Sequence, residues 1–202
     1  MAQKLESNLR NMILSLLFIS VGMSAALGFV YTLTKGPIEI AVKQKEIAAV
    51  KDVLPAFDND PTIDAKTIDG LTFYTGTKDG KIVGIAAKTF TDKGFAGRFD
   101  LMVGFLPDGS INNTVVIEQK ETPGLGTKMK EPKFKDQFNG KNPGTFKLKV
   151  KKDGGDVDAI TASTITSRAF CDGVQKAFDL FKANFAETVP SNDSIQTQGG
   201  TK

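Results

Sequence analysis

The chain has 202 residues, 40% of them hydrophobic and 24% charged, which is enough for one domain of ordinary size plus an appendage. The formal net charge of +3, with lysines and acidic residues interspersed, gives no indication of nucleic-acid binding. With no histidine and a single cysteine, Cys171, the sequence excludes a Ser-His-Asp triad, His-ligated haem or zinc, intrachain disulfides and cysteine-built metal clusters, so any redox chemistry would need an organic cofactor.

A long uncharged segment near the N-terminus predicts one membrane-spanning helix. No charged residue lies between Arg10 and Lys35, and the 24 residues 11–34 would exceed the roughly 30 Å of a bilayer core at about 1.5 Å per residue. Residues 1–10 form a short basic tail, which usually stays in the cytoplasm. We therefore expect residues 35–187 to form a domain on the outer face of the membrane.

Two alternatives concern this segment. The tripeptide Ser24-Ala25-Ala26 would suit cleavage of a signal peptide, but the apolar run continues through Leu33, which favours an uncleaved anchor. Small residues also recur at every fourth position, a pattern that suits close helix packing in lipid but also fits ordinary membrane composition. This stripe consists of Ser20, Ser24, Gly28 and Thr32.

The remaining chain predicts a single α/β domain of the α+β type, with packed helices and a hairpin-built, mainly antiparallel sheet. Gly36-Pro37 is expected to break or cap the spanning helix, and a second helix then runs to Pro55. The dipeptides Asp79-Gly80 and Asp108-Gly109 mark the turns of two hairpins, so four strands are expected. The apolar face of the second helix would contain Ile40, Ile47, Val50 and Leu54.

Later segments add two helices, a strand and a tail. Glu131 to Phe138 predicts a short helix, and residues 145–152 alternate as a strand does. Ile165 to Phe185 is the clearest amphipathic helix, whereas residues 188–202 are rich in Ser, Gln and Gly and are expected to be disordered. The apolar face of that helix, expected to pack in the core, contains Ala169, Phe170, Val174, Ala177, Phe178, Phe181 and Phe185.

A cluster of hydroxyl residues precedes this last helix. Five Ser or Thr residues fall within the seven positions from Thr161 to Ser167. One or two hydroxyls suffice for a helix cap, where they accept free backbone N–H groups. The excess indicates a phosphate site, because the amide groups and dipole at a helix N-terminus favour an anion. A plain cap remains the structural alternative.

A glycine-rich turn, Lys120 to Met129, follows a strand that ends near Gln119. Pro123 fixes one backbone dihedral, and Gly124 and Gly126 permit positive φ and close approach of the backbone to a flat ligand. A tight turn without a ligand is the alternative.

An anchored N-terminus, a strand followed by ETPGLG, and a D-x-x-(S/T)-x-x-T motif leading into a helix resemble the covalent-FMN subunits of membrane redox pumps. These are the G subunit of the Rnf complex and the C subunit of the sodium-pumping NADH:quinone oxidoreductase, and the short chain is more similar to the former. In that family the motif reads D-x-x-(S/T)-G-A-T, and its last threonine carries FMN through a phosphoester. Aligned from Asp158, the acceptor is Thr164. Ala162 replaces the usual glycine and Ser163 the usual alanine.

The resemblance also implies which residues bind the flavin. Thr161, Ser163 and Thr166 stay candidate acceptors, although the fixed spacing from Asp158 favours Thr164. The phosphate would lie at the start of the last helix, and the backbone of residues 124–126 would form a wall against the isoalloxazine ring. Asp158 would be recognised by the enzyme that attaches FMN, or be a plain loop residue. Glu121, Thr122 and Thr127 would hydrogen-bond to the flavin or its ribityl chain. The expected cofactor-binding residues are Thr161, Ser163, Thr164, Thr166, Ser167, Asp158, Glu121, Thr122, Gly124, Leu125, Gly126 and Thr127.

The implied function is that of a membrane-anchored flavoprotein subunit of an ion-translocating oxidoreductase, which relays electrons between ferredoxin and NAD coupled to Na⁺ or H⁺ transport. Such a subunit is not catalytic alone. The flavin domain would lie on the periplasmic face of a bacterial inner membrane. Its partners would be other membrane and peripheral subunits, the lipid bilayer, and a flavin transferase that uses FAD and Mg²⁺. The alternatives are the quinone-reductase subunit, a cofactor-free anchored binding module and a stand-alone flavin reductase.

Overall fold

The computed structural model describes residues 8–185, and the chain divides into two compact units between Gln44 and Lys45. Most of the expected N-terminal tail, and the whole of the expected disordered tail at 188–202, lie outside the described residues.

Helix α1 (Leu9–Val53) is 45 residues long and continues through Gly36-Pro37, so the predicted break there is wrong. A proline within a helix removes one backbone N–H donor, yet the helix continues on both sides of Pro37. An 18-residue stretch of α1 has a mean hydropathy of 2.2 with none of it buried, so the helix is long and apolar enough to cross a membrane. Of its predicted apolar face, Ile40 and Ile47 are exposed.

An antiparallel sheet of five strands forms the centre of the second unit, in the sequential order β1 to β5. Both predicted hairpins are confirmed, and Asp79, Gly80 and Gly109 take the positive φ that tight turns require. The first strand was not predicted, although an Asp-Gly turn at residues 69–70 follows it with the same backbone conformation. The strands are β1 (Lys66–Ile68), β2 (Leu71–Lys78), β3 (Lys81–Gly94), β4 (Gly97–Phe105) and β5 (Ile111–Glu118).

Two apolar clusters pack against this sheet. The larger cluster is formed by helix α3 (Thr164–Phe185) together with residues of the strands, and every residue of the predicted apolar face of α3 is buried. Residues from the last turns of α1, among them Val50, Val53 and the following Leu54, form the smaller cluster with Tyr74 and strand residues.

The segment between β5 and α3 departs from the prediction. The short helix is only α2 (Pro132–Lys135), after a 3₁₀ turn at Gly126–Lys130. Residues 145–152 are not a strand, because local partners satisfy their backbone: Lys147 N donates to Asp156 Oδ2 at 2.8 Å and Lys151 N to the Val157 carbonyl at 2.9 Å. The alternation of apolar and polar residues in this segment reflects which side chains are buried and not strand pairing, because Leu148 and Val150 lie in the core.

Candidate functional site

The two predicted motifs meet in one cavity of about 340 Å³, which we call the Thr164 cavity. Residues 162–166 form one wall, and four residues of the 120–129 turn form another. Phe95, in the β3–β4 turn, forms a third wall and was not predicted. The four turn residues are Glu121, Thr122, Leu125 and Gly126.

The hydroxyls of the cluster have different partners. Ser167 is buried, and its Oγ donates to the Ser163 carbonyl and accepts from Ile160 N, both at 2.9 Å. This side chain therefore organises the start of α3. Thr166 is also buried and donates to Glu121 Oε2 at 3.0 Å. Thr164, the first residue of α3, is half-buried, and within residues 8–185 its hydroxyl has no hydrogen-bond partner.

The backbone just before α3 adopts a conformation that favours glycine. Ala162 has φ of 62°, one of three non-glycine residues with positive φ among those described. The left-handed conformation costs an L-residue roughly 1–2 kcal/mol. The structure thus explains why a motif of this shape would carry glycine at the position that Ala162 occupies here.

Glu121 lies at the junction of three elements. It is buried, and its Oε2 accepts from Thr166 Oγ1 in α3 at 3.0 Å. Its Oε1 accepts from Ala96 N in the β3–β4 turn at 3.2 Å. A Cβ at Gly126 would stand 2.5 Å from Oε2, and one at Gly94 would stand 2.7 Å from Oε1. Both carboxylate oxygens are therefore held by donors of the protein itself.

The glycines and threonines of the turn differ from one another in role. Gly124 has the expected positive φ of 76°, but Gly126 does not and instead makes room for Glu121. Thr127 Oγ1 accepts from Gly124 N at 2.9 Å, which stabilises the turn outside the Thr164 cavity. Thr122 is exposed and lines the cavity.

Asp158 and Thr161 line a separate cavity of about 170 Å³, together with Lys128 and Lys133. The Asp158 carboxylate is exposed and pairs with Lys151 at 2.8 Å. These two residues of the motif therefore lie outside the Thr164 cavity.

The largest cavity described, of about 930 Å³, shares only Ile165 with the Thr164 cavity and is lined by none of the predicted site residues. Cys171 contributes to its lining, and burial raises the pKa of that thiol to about 12. At its rim, the Arg168 guanidinium lowers the pKa of the Asp153 carboxyl by hydrogen bonding. We take the Thr164 cavity, and not this larger one, as the candidate site. A free hydroxyl beside the amide groups of a helix N-terminus can hold a phosphate, whereas volume alone identifies no ligand.

The chemistry of the Thr164 cavity suits a ligand that has a phosphate and an apolar part. The first amide N–H groups of α3 have no intrahelical acceptors and adjoin the free Thr164 hydroxyl. The volume of the cavity lies within the range of about 300–1,000 Å³ that small-molecule sites occupy. Phe95, Leu125 and Ile165 supply apolar surface. Among residues 8–185 no cluster of His, Cys, Asp or Glu could hold a metal ion.

Comparisons with known proteins agree with this chemistry. Residues 94–179 match the family model described as the FMN-binding domain. The G subunit of the Na⁺-translocating ferredoxin:NAD⁺ oxidoreductase complex of Acetobacterium woodii is 32% identical over 186 residues, which are 84% of this chain and 89% of that protein. The G subunit of the ion-translocating oxidoreductase complex of Cereibacter sphaeroides is 32% identical over 76% of this chain and 75% of its own length.

Among solved structures, NqrC of Shewanella oneidensis matches with a TM-score of 0.44 and 22% identity, over 67% of this chain and 69% of that chain.

Proposed function

The chain belongs to the family of G subunits of ion-translocating oxidoreductase complexes, and from this premise we propose that it is the membrane-anchored, FMN-carrying electron-transfer subunit of such a complex. One observation carries the proposal. The hydroxyl of Thr164 is free, half-buried and placed at the N-terminus of α3, in the cavity that the glycine-rich turn completes.

We propose Thr164 as the residue that bears FMN, through a phosphoester. Ser167 and Thr166 are buried, and their hydroxyls already bond to Ser163 and Glu121. Ser163 lines the cavity but is only 8% exposed. Thr161 lies in the other cavity. Access and hydrogen bonding therefore support the residue that the spacing from the motif aspartate favours.

Attachment would need a separate flavin transferase. Thr164 Oγ would attack the phosphorus of the FMN half of FAD, the bond to the AMP phosphate would break, and AMP would leave. The hydroxyl proton would pass to a base of the transferase, which would also hold Mg²⁺. The described part of this chain offers neither a metal cluster nor a histidine for that step, which supports an outside enzyme.

The residues around Thr164 would then hold the flavin and position it. The free amide groups of α3 would face its phosphate, and the exposed Thr122 would be available to its polar atoms. Glu121 would act indirectly, by fixing α3, the 120–129 turn and the β3–β4 turn relative to one another. FMN, when bound, would supply the redox chemistry, and the protein would set its position and potential.

The domain organisation follows from the anchor. Residues 1–10 would lie in the cytoplasm, residues 11–34 would span the membrane, residues 35–187 would carry FMN on the periplasmic face, and residues 188–202 would form a tail. Other subunits would deliver and accept electrons, coupled to transport of Na⁺ or H⁺.

Retention of flavin after denaturation tests the proposal. The full chain, co-produced with a flavin transferase, should show flavin fluorescence in a denaturing gel, because a covalent bond survives unfolding. Thr164→Ala should lose this fluorescence. Ser163→Ala is the matched control and should keep the fluorescence, because the Thr164 hydroxyl is still present. Fluorescence in Thr164→Ala equal to that of the unmodified chain would refute attachment at Thr164.

A further inference from the structure

The largest cavity described, of about 930 Å³, is lined on one side by α3 and on another by residues 146–150. We call it the large cavity. Leu148 and Val150, both buried, contribute apolar lining. Ile165 lines this cavity and the Thr164 cavity alike, so an occupant of the large cavity would lie one side chain away from the candidate flavin site.

The backbone of residues 146–150 leaves polar groups unpaired beside the large cavity. The Lys147 carbonyl accepts from Lys149 N at 2.7 Å and from Asp156 N at 3.1 Å, and the first of these bonds closes a γ-turn centred on Leu148. The N–H and C=O of Leu148 stand outside this turn. Within residues 8–185 they make no hydrogen bond, although Leu148 is only 5% exposed. Buried backbone groups are rarely left unpaired, so these two indicate a missing partner with a donor and an acceptor of its own.

The residues that line the large cavity carry an excess of positive charge, with four cations and two carboxylates. Two of the cations are paired with the two carboxylates. The other two, Lys147 and Lys149, are exposed, and within the described part of the chain neither ammonium group forms an ion pair. A complementary partner therefore carries carboxylates beside its apolar groups. The existing pairs are Arg168 with Asp153 and Lys93 with Asp172.

We propose that the large cavity receives an extended, acidic peptide segment of another subunit of the complex. The inference rests on the proposed function, because the partner is taken from the complex in which the chain would act. Main-chain groups of the segment would pair with the N–H and C=O of Leu148, as in strand addition. Its apolar side chains would cover Val150 and Ile165, and its carboxylates would face Lys147 and Lys149. Docking there would bring a partner subunit next to the flavin, which shortens the path for electron transfer.

Zero-length coupling of lysine to carboxylate tests this docking site. The purified complex that contains the full chain is treated with a carbodiimide, which joins an amine to a carboxylate only where the two are in contact, and the joined peptides are identified by mass. We expect Lys147 and Lys149 to couple to Asp or Glu residues of one segment of another subunit. Lys66 and Lys81 are the matched controls, because both are exposed and neither lines the large cavity, and they should not couple to that segment.

Lys147→Glu should lower the coupling yield at Lys149 by about tenfold, because it places a like charge against the acidic segment. Lys147→Gln should lower it by less, Lys66→Glu should leave it unchanged, and all three variants should keep the covalent flavin content of the parent chain. No coupling to another subunit, or an undiminished yield in Lys147→Glu, would overturn the docking site alone. Coupling to Glu187 or Asp193 of the same chain would overturn it in favour of the C-terminal tail. A parent chain that carries no flavin and copurifies with no other subunit would overturn the proposed function as well.

Discussion

Replacement of Glu121 by alanine should loosen the junction that builds the candidate site. The change removes two hydrogen bonds to a buried carboxylate, one of 3.0 Å from Thr166 and one of 3.2 Å from Ala96. Bonds to charged groups contribute about 1.5–3 kcal/mol each, and an orphaned buried donor costs about 1–3 kcal/mol. Thr166 is 1% exposed, so its hydroxyl would lose its partner inside the protein, whereas Ala96 lies in an exposed turn.

Part of this loss of stability is offset, because the variant no longer buries a carboxylate. We therefore expect Glu121→Ala to lower the free energy of unfolding by about 2–4 kcal/mol. Glu121→Gln keeps the shape of the side chain. The carbonyl of the glutamine can accept from the Ala96 amide, and its NH₂ can donate to Thr166 Oγ1 after that hydroxyl rotates. Its loss should be about 1 kcal/mol or less.

Chemical denaturation of the full chain in detergent, followed by circular dichroism, measures both changes. A double-mutant cycle with Thr166→Val should give a coupling energy of about 1–2 kcal/mol. The reasoning is refuted if alanine and glutamine cost the same, or if the alanine variant lies within about 0.5 kcal/mol of the parent chain.

Three further predictions concern the domain core. Burial raises the pKa of Tyr74 to about 12 from its usual 10, so its contribution to stability is complete below pH 10 and lost as pH rises through about 12. Tyr74→Phe should therefore remove the tyrosinate absorbance that develops near pH 12, and absorbance from Tyr74 that is already complete near pH 10 would contradict this. Burial also raises the pKa of Cys171 to about 12. Its alkylation by iodoacetamide at pH 8 should be at least about 100-fold slower in the folded chain than in urea, and equal rates would show an accessible thiolate. A Cβ at Gly104 would overlap the Val53 carbonyl, so Gly104→Ala should be severely destabilising in denaturation. Gly144→Ala should be mild, because its Cβ would meet only Asn142 Oδ1, at 3.1 Å.

The sheet could be predicted from local signals, because Asp-Gly turns and alternating apolar residues act within a few positions of one another. The Asp-Gly pair at residues 69–70 carried the same signal for β1, but a three-residue strand is too short for its own alternation to show. The segment 145–152 also alternates, yet Asp156 and Val157 satisfy its backbone locally in place of a neighbouring strand. Alternation thus reported which side chains are buried and not which backbone pairs.

The candidate site was predictable in part for a similar reason. The spacing of the hydroxyl cluster pointed to Thr164, and the turn of glycines pointed to residues 120–129. Which hydroxyl stays free depends on the partners that the fold brings to each one, as Glu121 does for Thr166. Phe95 belongs to a hairpin tip that is distant in sequence from both motifs, so only the tertiary structure brings it to the cavity.

The central claim is that Thr164 carries FMN covalently, and peptide mass mapping tests it most directly. The full chain, co-produced with an active flavin transferase, is digested, and the peptide that spans residues 153–168 is fragmented. The account predicts a mass increase of one FMN less one water, with the fragments placing it on Thr164. An unmodified peptide, or a modification placed on Thr161, Ser163 or Thr166, would contradict the assignment.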